Sequence, residues 1–286
     1  MIVEKFQTQN NLTESTHFGK SHLSIQISLD GFIFCIFDKN LVDVVFLKEF
    51  EFTERVQNPE QLLNYVKEIY EKETVLKEKF ESVNISHQNN LAVLVPETLY
   101  DADYQADYLK YSVKVLNDDS IAVDDIEHYE TKNVYIPFSL VNNFMKEIYG
   151  DFDSLHTSTV LLNSLLKYFK NTIKKYFFVN VSKHSLELVY MQNGEIQLFN
   201  SFLYYTKEDF IYYILFAMEQ LGLDPDSQSV TFIGDIEKES TLYAITYQYV
   251  RHVNFLNINN FSLSDDFYQI NKDLSRHQYF ELLNQF

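Results

Sequence analysis

The chain is poor in the residues that cross-link or punctuate a fold. Its 286 residues include one cysteine, six glycines, four prolines and no tryptophan. The single cysteine, Cys35, excludes an intramolecular disulfide, and its place in an apolar run indicates a small core residue. The longest unbroken apolar stretch, which contains 211–218, is far shorter than the roughly 20 residues that a membrane-spanning helix needs. We therefore predict no membrane insertion.

Basic residues are scarce as well. The chain has 23 Lys and Arg against 41 Asp and Glu, a formal net charge of −18. Because such a body repels phosphate backbones, we predict no nucleic-acid binding. Nine of the acids fall within residues 101–130, which we interpret as a solvated face, with a docking face for a basic partner as the alternative. Residues 1–17 lack the apolar segment of a secretory signal, which favours a cytoplasmic protein.

Sequence signatures of common catalytic and metal sites are missing too. The eight histidines are scattered, without a His-Glu-x-x-His pattern, and the lone cysteine has no partner, so no metal site is predicted. The chain has no Gly-x-Ser-x-Gly nucleophile elbow and no glycine-rich phosphate loop. Apolar residues nevertheless make up 46%, with 25 Phe and 21 Tyr, which indicates a globular protein with an aromatic core.

One part of the chain occurs twice, 154 residues apart. The segment LSIQISLDGFIFCIFDKNLVDVVF from Leu23 aligns without gaps on FFVNVSKHSLELVYMQNGEIQLFN from Phe177. Both copies read as strand, turn, strand, turn, strand, and an amphipathic helix follows each. In the second copy, Gln192-Asn193-Gly194 is a hairpin signal. The duplication predicts two similar lobes.

Apolar periodicity and helix start signals predict the elements of both halves. In the first half they are strands at 23–28, 32–37, 42–50 and 134–136, a buried parallel strand at 91–95, and helices at 59–80, 97–109, 138–149 and 157–169. In the second half they are strands at 176–181, 186–191, 196–203, 230–233 and 253–256, and helices at 207–221, 236–249 and 276–286, with Gly222 after the first of these. This order predicts an α/β fold with a mixed sheet in each lobe.

The duplicated pattern resembles the actin-like ATPase superfamily, in which two ribonuclease-H-like domains enclose a nucleotide. Residues 179–210 and 229–240 (SVTFIGDIEKES) are similar to the actin-like assembly proteins of type IV pili. Among families, the chain most resembles a bacterial group, domain of unknown function 3822. The resemblance implies two ribonuclease-H-like lobes, each a mixed five-stranded sheet flanked by helices. We assign 1–20 to an N-terminal extension, 21–170 to the first lobe with an acidic elaboration near 97–133, and 171–286 to the second lobe.

The chain departs from the superfamily where the phosphate loops are expected. In place of Asp-x-Gly it has Gln26-Ile27-Ser28 in the first copy and Asn180-Val181-Ser182 in the second. An amide is a poorer ligand for Mg²⁺ than a carboxylate. A Cβ in place of glycine also hinders the approach of backbone N–H groups to a phosphate. Matched changes in both copies predict that hydrolysis has been lost.

Other polar residues of these turns are retained as candidate site positions. A glycine and an acid after the strand at 230–233 correspond to an adenosine-contacting turn, and an ordinary strand-to-helix turn is the alternative. The candidate residues besides Gln26, Ser28, Asn180 and Ser182 are Asp30, Gly31, Lys183, His184, Ser185, Gly234 and Asp235.

The favoured functional interpretation is a non-catalytic pseudo-ATPase. It would be an actin-like scaffold or adaptor that contacts an unidentified protein partner and needs no cofactor. The first alternative is binding of a nucleotide or other small ligand without hydrolysis, through Ser28, Ser182, Lys183 and Gly234. The last alternative is an active ATPase or phosphotransferase that uses ATP with an altered Mg²⁺ site. A fold alone does not establish any of these functions.

Overall fold

The computed structural model describes residues 1–9, 18–110, 115, 119–127, 129–257 and 274–285. The chain divides into two compact units. The first comprises Met1–Asn163 together with 281–285, and the second comprises 164–257 together with 274–280, within those described ranges. The chain leaves the first unit inside a helix rather than at a linker.

The first unit contains nine strands among its described residues. Its strands are β1 Ile2–Gln9, β2 Ser21–Ser28, β3 Gly31–Asp38, β4 Asp43–Phe52, β5 Ser82–Gln88, β6 Ala92–Pro96, β7 Ala122–Ile126, β8 Thr131–Tyr135 and β9 Asp153–His156. Six of them form one sheet in the order β1-β4-β3-β2-β5-β9, and three form a separate sheet in the order β6-β8-β7. In the six-stranded sheet, β5 runs parallel to both β2 and β9, and the other pairs are antiparallel.

The second unit contains one five-stranded sheet. Its strands are β10 Lys175–Val181, β11 Ser185–Gln192, β12 Glu195–Leu203, β13 Val230–Gly234 and β14 Val253–Phe255. Their order is β12-β11-β10-β13-β14, with antiparallel hairpins followed by parallel pairs. This order and these directions are those of β4-β3-β2-β5-β9 in the first unit.

Six α-helices connect the strands of the described chain. They are α1 Pro59–Lys72, α2 Gln105–Leu109, α3 Ser139–Tyr149, α4 Thr157–Phe169, α5 Lys207–Gln220 and α6 Thr241–Tyr249. Helix α1 begins where the Asn58 side chain accepts the Gln61 N–H, and α5 begins with a reciprocal capping box between Thr206 and Asp209. Gly222, at φ 63°, follows the end of α5 as predicted.

The register of the strands confirms the 154-residue repeat. Gln26 on β2 lies opposite Ile33 on β3, and Asn180 on β10 lies opposite Glu187 on β11. A β-bulge interrupts the next hairpin between Ile36 and Phe37 in the first unit and between Tyr190 and Met191 in the second. These positions again differ by 154, so even the irregularity of the hairpin occurs twice.

One strand prediction in the first half is wrong, and one strand is missing from the predictions. The strand near 91–95, β6, is antiparallel to β8 in the small sheet and does not join the main sheet. The parallel strand is β5, whose sequence SVNISHQ alternates apolar and polar residues and lacks a continuous apolar run. The strands β6, β7 and β8 with α2 have their own apolar cluster, so the described residues of 92–135 form an inserted subdomain between β5 and β9.

The sheet of the first unit has one strand more than predicted. Residues 2–9, assigned to an extension, form β1 and pair antiparallel with β4. The helix predicted at 97–109 consists of two 3₁₀ turns followed by the short α2. The closing helix predicted at 276–286 is also wrong, because 276–281 form turns and Leu282–Asn284 form a 3₁₀ turn.

Aromatic residues build both cores, as the composition predicts. Phe32, Phe34 and Tyr70 lie in the core of the first unit, and Phe177 and Phe210 lie in that of the second, each at most 2% exposed. The Cys35 thiol is fully buried, and this burial raises its pKa to about 12. It is therefore the inert core residue that the sequence indicates.

Candidate functional site

The first candidate turn joins β2 to β3 and is closed by its own serine. The Ser28 hydroxyl accepts the N–H groups of Asp30, at 3.1 Å, and of Gly31, at 2.9 Å. In a working phosphate loop, such backbone N–H groups point at the phosphate oxygens. Here the side chain that replaces the expected glycine takes both of them.

Gly31 is required by strand packing. A Cβ at Gly31 would lie 2.6 Å from the carbonyl oxygen of Phe50 on β4, far inside van der Waals contact. The backbone of Gly31 is ordinary extended strand paired with Glu51. The neighbouring Asp30 accepts the Phe52 N–H through its own carbonyl oxygen. Gly31 and Asp30 thus tie β3 to the end of β4.

The two amides that replace the expected aspartates are buried and engaged in side-chain hydrogen bonds. The Gln26 Nε2 donates to Gln88 Oε1 at 3.1 Å, and Gln26 is 8% exposed. The Asn180 Nδ2 donates to Glu187 Oε2 at 2.9 Å, and Asn180 is 2% exposed. Each amide bridges neighbouring strands of its own sheet, and a carboxylate at position 180 could not donate the bond that Glu187 accepts.

The second candidate turn joins β10 to β11. The Ser182 N–H donates to the Ser185 carbonyl oxygen at 2.9 Å, and the Ser182 carbonyl oxygen accepts the Tyr204 hydroxyl at 2.7 Å. The His184 carbonyl oxygen accepts the Tyr204 N–H at 3.1 Å. Lys183 is exposed at the tip of the turn. Tyr204 therefore fixes this turn from the end of β12.

Gly234 occupies a crowded position at the carboxyl end of β13. Its φ is 86°, and a Cβ there would lie 2.9 Å from Asn180 Oδ1 and closer still to the Val181 carbonyl oxygen. The next N–H, that of Asp235, donates to Val181 at 2.8 Å. The structure thus brings Asn180, Gly234 and Asp235 together, and this glycine meets a backbone requirement of the strand-to-helix turn.

A C-terminal histidine covers this turn. The Gly234 N–H donates to the His277 carbonyl oxygen at 2.9 Å, and the His277 Nε2 lies 2.7 Å from the Ile236 carbonyl oxygen. The His277 ring packs on Phe255 at 4.4 Å between centroids, and burial lowers its pKa. Residues 274–280 therefore supply the acceptor for the Gly234 N–H at the turn that the sequence compares with an adenosine-contacting turn. The sequence predicts a helix over 276–286 and gives no sign of this contact.

In the first unit, the register position of Gly234 is held by a buried histidine. Ile27 pairs with His87, as Val181 pairs with Gly234. The His87 Nε2 lies 3.0 Å from Ser154 Oγ, and the ring is fully buried. Burial lowers the pKa of His87 to about 3, so the ring is neutral at physiological pH. In the sequence, the alternation of Val83, Ile85 and His87 with polar residues is the signal that could have predicted strand β5.

A second buried histidine joins β9 to the inserted subdomain. The backbone N–H of His156 donates to Asp124 Oδ2 at 2.8 Å, and Thr159 Oγ1 donates to the same oxygen at 2.7 Å. Burial lowers the pKa of His156 to about 4 and raises the pKa of Asp124. Asp124 thus sits at the start of α4, where a carboxylate is favourable. These groups hold β7 against α4.

The residues of the candidate site do not fit a magnesium–nucleotide complex. The positions expected to hold the metal carry amides engaged in side-chain hydrogen bonds, and the loop N–H groups of Asp30, Gly31 and Gly234 already have acceptors within the chain. Among the described residues, no cluster of three or more His, Cys, Asp or Glu side chains is arranged to hold a metal ion.

The strand order, the pairing directions and the repeat define an actin-like ATPase fold. A Bacteroides thetaiotaomicron protein with an actin-like ATPase fold and unknown function is 19% identical, with a TM-score of 0.74, and the match covers 93% of this chain and 100% of that one. A chain of the PilM–PilN type IV pilus biogenesis complex is 11% identical, with a TM-score of 0.57, and the match covers 92% of this chain and 97% of that one. At these identities the likeness concerns the fold alone.

The chain belongs to the family described as Protein of unknown function (DUF3822), whose model matches residues 9–253. The family predicted from the sequence is thereby confirmed, and the structural matches confirm the predicted fold. No curated protein sequence matches the chain. No helix in the described part of the chain is long and apolar enough to cross a membrane.

Proposed function

We propose that this protein is a non-catalytic, actin-like scaffold or adaptor that acts through contacts with another protein. The observation that carries the proposal is the closure of the first turn by Ser28, whose hydroxyl accepts two N–H groups that a phosphate would need. The engaged amides Gln26 and Asn180 support the same conclusion, since neither lies ready to bind a hard cation.

The fold is compatible with such a role. PilM, a protein of the same fold, was solved in a complex with PilN, so an actin-like body can serve in protein assembly. This support concerns the architecture and not the particular partner. The formal charge of −18 favours a partner that presents basic residues.

A ligand titration tests the proposal. A ligand that binds only the folded state raises the apparent melting temperature in a dose-dependent way. We expect no increase in the apparent melting temperature when ATP, ADP or adenosine is added at up to about 10 mM, with or without Mg²⁺. Release of inorganic phosphate from ATP, measured in parallel, should stay at the level of a protein-free sample.

Matched variants separate the competing outcomes. A Mg²⁺-independent rise in melting temperature that Lys183→Ala abolishes and Lys207→Ala preserves would establish ligand binding without hydrolysis. Metal-dependent phosphate release that Asp30→Ala or Asp235→Ala abolishes would establish an active phosphotransferase. Either result would overturn the non-catalytic proposal.

A further inference from the structure

The internal repeat reveals an uncovered edge in the second unit. In the first unit, the outer hairpin strand β4 is covered by β1, which pairs with it from Ile2 to Gln9. In the second unit, the corresponding strand β12 pairs only with β11 among the residues that the structure describes. An edge strand with open N–H and C=O groups is a template for pairing with another chain.

Equivalent apolar residues along the two edges differ in burial. By register, Leu198 corresponds to Phe46 and Phe202 corresponds to Phe50. Phe46 and Phe50 are buried, at 7% and 4% exposure, in the sheet that β1 extends. Leu198 and Phe202 are only half-buried. The edge of the second unit therefore has apolar surface that a further strand could cover, and no described strand covers it.

The helix beside this edge also changes character between the units. α1 and α5 have 14 residues each, so Asn64 corresponds to Tyr212 and Glu68 corresponds to Phe216. Tyr212 and Phe216 are 59% and 42% exposed and stack on each other at 5.8 Å between ring centroids. Polar positions on the first helix have thus become exposed aromatic positions on the second.

A continuous row of rings connects the helix face to the edge strand. Tyr213 stacks on Phe202 at 4.3 Å and contacts Tyr212 at 5.5 Å, and Tyr212 stacks on Phe216. We call Leu198, Phe202, Tyr212, Tyr213 and Phe216 the β12–α5 face. In the first unit the matching tyrosine of α1, Tyr65, packs on Phe52, the residue paired with Ile2 of β1. In the first unit, therefore, an added strand pairs beside the aromatic contact that the matching tyrosine makes.

The charges around the β12–α5 face select the kind of strand that fits. Glu195, Glu208 and Glu219 are exposed on β12 and α5, and Lys207 is an exposed base that lies 3.9 Å from the Glu208 carboxylate. Glu208 and Glu219 flank Tyr212 and Phe216 at helical spacing on α5. A second copy of the chain carries the same negative charge and would be repelled, whereas a basic segment would be attracted.

We propose that the open edge of β12 takes an antiparallel strand from a partner protein, an extended segment that alternates apolar residues with Lys or Arg. The apolar residues would cover the β12–α5 face, and the basic residues would meet its glutamates. Backbone pairing supplies affinity in this mode, and the side-chain pockets supply specificity. The inference rests on the proposed scaffold function, to which it adds the surface and the class of partner.

Selection from a phage-displayed library of random twelve-residue peptides tests the inference without a presumed sequence. We expect enriched peptides to alternate apolar residues with Lys or Arg. Their affinity should fall at least about tenfold for the double variant Tyr212→Ser/Phe216→Ser, as expected for buried aromatic anchors. The double variant Tyr247→Ser/Tyr249→Ser, which removes two tyrosines of α6 that are 62% and 56% exposed, should bind within about twofold of the wild type.

Two further measurements identify strand addition. Asn200 is exposed and holds the register position of Lys48, which forms an ion pair with Glu4 of β1. Asn200→Glu should therefore tighten binding and Asn200→Lys should weaken it, each by about threefold. Amide hydrogen exchange of 195–203 should slow when the peptide binds, because open edge N–H groups gain acceptors.

Several outcomes would overturn the inference. They are a failure to select any peptide, equal binding to both double variants, unchanged exchange in β12, or a dimer of the free chain that Tyr212→Ser/Phe216→Ser dissociates. The last would make a second copy the occupant. These outcomes leave the scaffold proposal standing if nucleotides still fail to bind. Conversely, ATP hydrolysis would refute the scaffold proposal whatever the peptides do.

Discussion

At the scale of single residues, the loss of one glycine explains why the first turn is closed. Ser28 stands where a phosphate loop has glycine, and its hydroxyl occupies the N–H groups of Asp30 and Gly31. The turn is thereby stabilised without a ligand, since a serine oxygen can mimic a backbone acceptor in such turns. Two candidate site positions are glycines, Gly31 and Gly234, and at both a neighbouring strand approaches the backbone too closely for a Cβ.

Replacing Ser28 by alanine should therefore destabilise the fold. Ser28→Ala leaves two partly buried N–H groups without their acceptor, and we expect a loss of about 1–2 kcal/mol in the free energy of unfolding. Ser28→Thr keeps the hydroxyl and should recover most of that loss. Urea denaturation measures both. Equal stability of Ser28→Ala and the wild type would show that the hydroxyl does not hold the turn.

Replacing Gly234 by alanine should cost more than the same change at Gly222. Both residues have positive φ, but a Cβ at Gly222 meets nothing within 4 Å, whereas one at Gly234 meets Val181 and Asn180. We expect Gly222→Ala to lose about 1 kcal/mol and Gly234→Ala to lose at least about 2 kcal/mol more, measured by chemical denaturation. Similar losses would remove the close approach as the reason for Gly234.

At the scale of elements, two parts of the first unit lack a counterpart among the described residues of the second, namely β1 and the inserted subdomain. The subdomain is anchored by a buried polar junction in which Asp124 on β7 accepts hydrogen bonds from the backbone N–H of His156 and from the hydroxyl of Thr159. His156 lies on β9 of the six-stranded sheet, where it pairs with His87 on the neighbouring strand β5. Buried polar groups of this kind are sensitive to protonation, because burial disfavours the charged form.

The stability of the first unit should fall as the solution becomes acidic. The pKa values of His87 and His156, lowered by burial to about 3 and 4, lie below the value near 6.5 of an unfolded chain. Below pH 6.5 these two histidines bind protons in the unfolded chain but stay neutral in the folded chain. Each histidine then lowers the free energy of unfolding by up to about 1.4 kcal/mol per pH unit, until the pH reaches its pKa in the folded chain.

The raised pKa of Asp124 acts in the opposite direction at acidic pH and reduces the net loss. Urea unfolding between pH 7 and pH 4.5 measures the slope of stability against pH. His87→Gln should flatten that slope by up to about 1.4 kcal/mol per pH unit, and His252→Gln, at an exposed histidine, should preserve it. Parallel slopes for both variants and the wild type would contradict this assignment.

At the scale of the whole molecule, the C-terminal residues contribute to both compact units. Residues 274–280 belong to the second unit, where His277 covers Gly234, and 281–285 belong to the first. There the Gln285 Nε2 donates to Ser86 Oγ on β5 at 2.7 Å, and Leu282 and Leu283 are buried. The last residues of the chain thus complete two cores that are otherwise built from separate stretches of sequence.

Two truncations should separate these contributions. Removal of 281–286 should increase hydrogen exchange in β2 and β5 while β13 stays protected, because only the contacts of the first unit are lost. Removal of 274–286 should also expose β13 to exchange, since the Gly234 N–H loses the His277 carbonyl oxygen. Protection of β13 in the longer truncation would show that the segment is dispensable to the second unit.

The sequence alone determined the hairpins, the repeat and the chemical changes within it. Strong local signals are responsible, such as Asn193-Gly194, both at positive φ, and the apolar strands on either side. The matched amides Gln26 and Asn180 were visible in the same way, because a residue type is read directly from an alignment of the two copies.

Only the tertiary structure decided what those changes do and which distant segments complete each sheet. β5 alternates apolar and polar residues, β1 is an edge strand near the terminus, and 274–280 has no regular element, so none of them carries a strong local pattern. Their places are set by hydrogen bonds and apolar contacts with residues far away in the chain. Long-range pairing of this kind depends on the whole fold and leaves little trace in a local window of sequence.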